Sequence, residues 1–290
     1  MFELTPSAAV DQVRERFPFA NYIVGDAQPW LTIGEVVQNY LEPGSKVLDF
    51  GSGPCDKTAV AALMGCSCTA YDDLGDDWHA KPGNVARIED FADAMGIAFS
   101  REYAPPEPSS YDMVMMNDVL EHIHDSPRDL LNQLVNGLKE EGLLFITVPN
   151  LANIRKRLAL LRGRTNLPNF DYYYWHPGTW RGPQREYVRN DLVALTRHLG
   201  LEIVELKAVH HMLKRLPSST RPIYRAATRL FPDWRDTWRL IARKPVGWTP
   251  QEDRNAAKFR RTYRAVAKAS LYDEESGEVA QVTSEKVTDR

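Results

Sequence analysis

Between Lys46 and Asn150, short apolar runs alternate with segments whose apolar positions recur at helical spacing. "KVLDF" is a strand-like run, and "KTAVAALMG" after it is rich in helix formers. "CSCTAYDD" reads as a second strand that closes in acid, and Asn84 to Met95 reads as a helix. "GIAFS" is a short strand and "YDMVMMND" a buried one. "SPRDLLNQLVNGLKEEG" predicts a helix with Pro127 in its first turn and Gly142 just past its end. "LLFITVPN" is a nearly continuous apolar strand. Unbroken apolar strands alternating with helices predict an α/β fold, a doubly wound and mostly parallel sheet covered on both faces.

The pattern changes after Asn150. "LANIRKRLALLRGR" predicts a basic helix. "TNLPNFDYYYWHPGTWRGPQREY" is aromatic, rich in Pro and Gly and without period, which suits a lid. "NDLVALTRHLG" predicts a helix capped by Asn190 or Asp191 and ended by Gly200. "LEIVELKAV" and "WRLIARKP" form a late strand pair around a basic, aromatic insert from His210 to Trp238. The expected organisation is a helical segment over 1–40, a ligand-binding core over 41–150 and an acceptor lid over 151–189. Residues 190–246 complete the sheet and carry the insert. A polar tail too poor in apolar residues to fold is expected over 247–290.

Composition narrows the function. The chain has 290 residues, a formal net charge of −3, 43% hydrophobic and 26% charged residues, as expected of a globular protein. Mild acidity argues against nucleic acid as partner. Its three cysteines, Cys55, Cys66 and Cys68, form no disulfide framework, which points to the cytoplasm. No run of about 18 apolar residues predicts a membrane span, and the N-terminus lacks the pattern of a secretory signal. No metal site is expected: Cys66 and Cys68 lack further ligands at suitable spacing and read as buried thiols.

The candidate chemistry lies in "DFGSGP". Gly51 and Gly53 allow a tight turn and close approach of a ligand to the backbone. The next helix begins with unpaired N–H groups. Asp72 and Asp73 end the second strand roughly 20 residues on, where an acid can grip ribose hydroxyls. The dinucleotide pattern wants a third glycine where Asp56 stands, and Asp49 and Asp56 would repel a diphosphate. A cofactor with a sulfonium centre and an amino-acid tail tolerates these acids, and S-adenosylmethionine is such a molecule. Asp49 and Asp56 also admit a reading as helix-capping or loop residues alone.

Taken in order, "VLDFGSGPC", "AYDD", "YDMVMMNDVLEHIHDSPRDLL" and "LKEEGLLFITVPN" resemble the motif series of class I S-adenosylmethionine-dependent methyltransferases, in the group that contains ubiquinone-biosynthesis O-methyltransferases. The resemblance covers Leu41 to Asn150 well and Asn190 to Pro245 more loosely. It departs at Cys55, where the family often has a third glycine. It implies a Rossmann-like sheet with S-adenosylmethionine as cofactor. It implies that Asp49, Gly51 and Gly53 line the methionine end, Asp72 holds the ribose with Asp73 beside it, and Asn117 and Asp118 lie under the sulfonium. Glu102 and Tyr103 are candidates for the adenine contact.

A hydroxyl acceptor gains from a base as its proton becomes acidic. His122, just after the fourth strand, is the first candidate, against a packing role beside Glu121. His176, among Tyr172, Tyr173, Tyr174 and Trp175 of the lid, is the second. His210 and His211 read as structural. The expected acceptor is a hydroxyl of a sugar or an envelope or natural-product saccharide, with a small phenolic or quinone-like molecule as rival. A nicotinamide-dependent oxidoreductase and a binding protein with a degenerate pocket are the readings from other classes. In "RPIYRAATRL", Arg221, Arg225 and Arg229 would share a helical face suited to a lipid-linked acceptor or to peripheral contact with the inner membrane, or simply to solvent. Oligomeric state is open.

Overall fold

A computed structural model describes residues 2–20, 22 and 27–250. The chain divides into two units, 1–250 and 251–290, and everything below concerns the first. The expected tail lies almost wholly outside the described residues.

Seven strands form one sheet: β1 (Lys46–Phe50), β2 (Ser67–Tyr71), β3 (Ala98–Ser100), β4 (Tyr111–Asn117), β5 (Leu138–Pro149), β6 (Glu202–Val209) and β7 (Thr237–Arg243). Their order is β3-β2-β1-β4-β5-β7-β6. The first five run parallel, and β7 pairs antiparallel with both β5 and β6. This is the doubly wound, mostly parallel α/β sheet expected. Its order reverses between β1 and β4, and at such a point the strand ends open into a crevice.

Alternation along the strands builds two cores. Val47, Met113, Met115 and Phe145 face one side, where they meet α1 (Pro6–Arg16), α2 (Gln28–Tyr40), α3 (Asp56–Leu63) and α4 (Asn84–Ala94). Leu48, Val114, Met116, Leu144 and Ile146 face the other, against α5 (Arg128–Gly137) and α8 (Arg189–His198). Adjacent strand residues point to opposite faces, so a run such as "MVMM" is apolar throughout because each face has its own helix layer. Cys66 and Cys68 are buried free thiols.

Two local expectations are corrected. The fifth helix ends at Gly137, not beside Gly142, and β5 begins at Leu138 opposite Tyr111. Lys139 pairs with Asp112, and the Glu141 N–H donates to the Lys244 carbonyl, so the helix-forming "KEE" is drawn into the sheet. Helix α8 starts two residues early. Val188 is its cap position, and Asp191 reaches back to accept from the Val188 N–H. Helix α9 (Arg221–Leu230) carries Arg221, Arg225 and Arg229 at i, i+4, i+8; Arg221 also donates to the Lys214 and Leu216 carbonyls, and Tyr224 and Thr228 turn inward.

Residues 151–189, the expected lid, contain two short helices, α6 (Ile154–Leu161) and α7 (Phe170–Tyr174), neither with a buried residue. No helix among the described residues is long and apolar enough to cross a membrane.

Candidate active site

The strand ends of β1 and β4 open into a crevice of ≈ 570 Å³. Asp49, Gly51, Gly53, Asp72, Asp73, Asn117, Asp118 and His122 all line it. The backbone explains the glycines. Gly51 has φ +74°, and a Cβ there would stand 2.4 Å from Val119 Cγ2, so a side chain would collide with the segment leaving β4. Cys55, at the start of α3, also takes a left-handed conformation, φ 61°, which a glycine would adopt without strain. Its thiol is buried and pushed far above the ordinary range by burial, so it is a packing group here.

Asp72 ties the turn to the second strand. One oxygen accepts from the Gly53 N–H at 2.8 Å and the other from the Leu74 N–H at 2.8 Å. Each carboxylate oxygen keeps a further lone pair, so two hydroxyl donors can still be received. Asp49 is 1% exposed; burial pushes its carboxyl up to about 6, against a hydrogen bond donated by the Thr58 hydroxyl at 2.6 Å. Its Oδ1 and the Asn117 Nδ2 have no hydrogen-bond partner among the described residues. An unpaired buried acceptor and an unpaired buried donor in one lining suit a zwitterionic amino-acid tail, which donates at its ammonium and accepts at its carboxylate. On these observations the residues fit S-adenosylmethionine.

Several lining residues escaped the sequence reading. Lys57 Nζ stands 2.8 Å from Asp118 Oδ2. Burial alone would raise the Asp118 carboxyl, but the Lys57 ammonium, His211 and the hydrogen bonds from Lys57 and Thr147 together hold it below its ordinary range. Asp56 is buried and accepts from the Trp30 indole N–H at 2.7 Å, so this acid has a structural partner. Tyr22, Trp30 and His79 also line the crevice. So does His211, unlike His210, which contacts Thr228, Asp236 and Tyr224. Burial lowers His211 to about 4, so its ring is neutral near pH 7, and it bonds Thr32 Oγ1. The only sequence signal for Lys57 was its place right after the turn; Trp30 and His211 lie far away in sequence and carried none.

The two candidate bases are placed differently. His122 sits in the crevice, with Nδ1 2.8 Å from the Arg181 carbonyl and Nε2 3.9 Å from Glu121 Oε1. His176 is absent from the lining; it packs against Tyr172 and Trp180, with Asp77 3.9 Å away. Glu102 and Tyr103 are absent too: Glu102 lines a separate shallow cavity, and Tyr103 packs on Phe50 and Tyr71. Beneath His122, Glu121 is 1% exposed, and burial, followed by the Asp118 charge, pushes its carboxyl up to about 8. Among the described residues no cluster of three metal-ligating side chains is found.

The profile of a family described as a methyltransferase domain matches residues 30–206, more than half of the chain. The chain therefore belongs to the methyltransferase-domain family. It is a class I S-adenosylmethionine-dependent methyltransferase, which removes the nicotinamide oxidoreductase as an alternative. Among curated relatives, it is 25% identical over 186 residues to a ubiquinone biosynthesis O-methyltransferase of Neisseria meningitidis, spanning 59% of this chain and 70% of that one. It is 27% identical over 123 residues to the protein of that description from Xanthomonas campestris, spanning 41% and 49%. The fold is shared with an S-adenosylmethionine-dependent methyltransferase structure from Listeria monocytogenes, at a TM-score of 0.51 and 16% identity, covering 75% of this chain and 98% of that one. It is shared equally with the [4+2]-cyclase SpnF, at 0.51 and 17%, covering 79% and 86%. The sheet alone does not define a reaction.

Proposed function

We propose that this enzyme methylates a hydroxyl of a small ring-bearing molecule, of phenolic or quinone-like type. The observation that carries the reading is His122: an imidazole at the end of β4, in the crevice, with one ring nitrogen committed to a carbonyl and the other, 3.9 Å from Glu121 Oε1, placed to take a proton. The O-methyltransferase relatives support a hydroxyl acceptor.

When bound, S-adenosylmethionine would supply an electrophilic methyl group for transfer to the acceptor oxygen, with its sulfur as the leaving group. Asp49 with the Gly51–Gly53 turn would receive the amino-acid tail. Asp72 would hold the ribose, with Asp73 beside it. Asn117 and Asp118 would border the transfer position, and His122 Nε2 would take the hydroxyl proton. Holding the reactants aligned can supply up to about 7–11 kcal/mol in favourable cases.

A saccharide hydroxyl is the second reading. It is favoured by the exposed rings of Tyr173, Tyr174 and Trp175, which suit stacking on a sugar. Peripheral contact with a membrane or a lipid-linked acceptor is favoured by α9, where Ile223 and Leu230 are exposed beside Arg225 and Arg229. One assay separates these: methyl-labelled cofactor offered to a panel of catechols and hydroquinones, simple glycosides and lipid-linked saccharides. Labelling of the phenols supports the first reading, and labelling confined to the saccharides overturns it.

A further inference from the structure

The lid is fastened over the crevice at Arg181 and the residues that follow it. Its guanidinium reaches both oxygens of Asp73, at 3.2 Å each, on the β2 side. Its carbonyl receives His122 Nδ1 at 2.8 Å on the β4 side. The next residues continue the attachment: the Gln184 and Arg185 N–H groups both donate to the Glu121 carbonyl, at 2.7 and 3.2 Å. Gly75 makes room for the fastening, since a Cβ there would lie 2.6 Å from the Arg181 guanidinium nitrogens. Arg181 itself lines the crevice.

A carbonyl oxygen only accepts. Nδ1 of His122 must therefore carry a proton whenever this contact is made, and in the neutral ring Nε2 is then the bare, basic nitrogen. We propose that Arg181 is a positioning residue: its side chain seats the lid on Asp73 and, by doing so, its carbonyl sets His122 in the tautomer that can accept a proton at Nε2. Closure of the lid and readiness of the base are thus one event. The proposal deepens the reading of His122 as base and rests on it for its kinetic arm.

The test compares Arg181→Ala, Arg181→Lys and Gly75→Ala with the full-length wild type. Gly75→Ala crowds the guanidinium and forces it to shift at its seat while leaving Arg181 and Asp73 in place. Two readouts are taken: the tautomer of His122 by nitrogen NMR of histidine-labelled protein, assigned with His122→Gln, and turnover with saturating acceptor. Arg181→Ala and Gly75→Ala should each lose the Nδ1–H form and lower kcat about tenfold, because orientation and tautomer of the base are both lost. The dissociation constant of S-adenosylhomocysteine should move less than about threefold, since the carboxylate and backbone partners remain. Arg181→Lys keeps a cation for Asp73 and should restore most of both readouts. The Gly75→Ala and Arg181→Ala losses should not add when combined, because both remove one contact. An Nδ1–H signal that survives Arg181→Ala overturns the proposal, as does an Arg181→Lys protein no better than the Ala variant. Loss of that tautomer with unchanged turnover would uphold the fastening and instead remove His122 as the base.

Discussion

Lys57 and Asp118 face each other across the floor of the crevice, Nζ to Oδ2 at 2.8 Å. One comes from the first turn of α3 and the other from the end of β4, so the pair joins the two elements that flank the switch in strand order. Asp118 has φ 60°, a left-handed conformation that aims its side chain back toward α3.

With Asp118 under the sulfonium, as proposed above, this pair sets the net charge felt at the sulfur. S-adenosylmethionine carries a positive sulfur and its demethylated product does not. Asp118→Asn leaves Lys57 unbalanced and should shift relative affinity toward the product. Lys57→Met should shift it toward the substrate. A unit charge several ångströms away is worth about 1 kcal/mol at an effective dielectric between protein and water, some fivefold in the ratio. Calorimetry with both ligands measures it; equal ratios in both variants would place the pair away from the sulfonium.

Asp72→Ala removes the proposed receiver of the ribose hydroxyls and also strands the Gly53 and Leu74 N–H groups. Cofactor affinity should fall by about 1.5–3 kcal/mol, roughly 10- to 150-fold. The melting temperature should fall by a few degrees, because the turn loses its tie to β2 while both cores stay intact. A folded Asp72→Ala protein with wild-type affinity would shift the role to Asp73.

Glu121 predicts a pH dependence of stability. Its carboxyl titrates near 8 in the folded chain and near its ordinary value when unfolded. Between those values the folded state holds a proton that the unfolded state has released, so stability falls as pH rises through that window. Glu121→Gln cannot ionise and escapes the fall. Its melting temperature, relative to wild type, should therefore improve on going from about pH 5 to about pH 8.5, by an amount on the order of 5 °C. A difference that stays flat across the range would mean that the carboxyl ionises without penalty.

The two histidines should separate by rate. His122→Ala should lower turnover about 10²–10⁴-fold with cofactor affinity nearly constant. His176, held among Tyr172, Trp180 and Asp77 outside the crevice lining, should when replaced by Ala mainly raise the acceptor concentration needed for half-maximal rate. Near-normal turnover of the His122 variant, with a large fall in the His176 variant alone, would move the base to His176.

Much of this was legible in one dimension. The alternation of apolar runs with helical patterns determined the parallel sheet, since each signal is local and repeats within about 10–20 residues. The glycine turn and the acid beyond it were equally readable: backbone freedom at Gly51 and a carboxylate at the end of β2 are properties of short segments. What the sequence pattern misjudged was decided by distant partners. The helix through Gly142 gave way at Leu138 because Tyr111, Asp112 and Lys244 claimed that stretch for the sheet. Lys57 opposite Asp118, Trp30 on Asp56 and His211 in the crevice depend on approaches across 61, 26 and 179 residues, respectively, the last measured to its partner Thr32. The Arg181 carbonyl that holds His122 comes from 59 residues away. Sequence periodicity reports which face of an element is apolar, whereas a charge pair or a ring tautomer depends on which atoms meet once those faces are buried, and only the packed chain decides that.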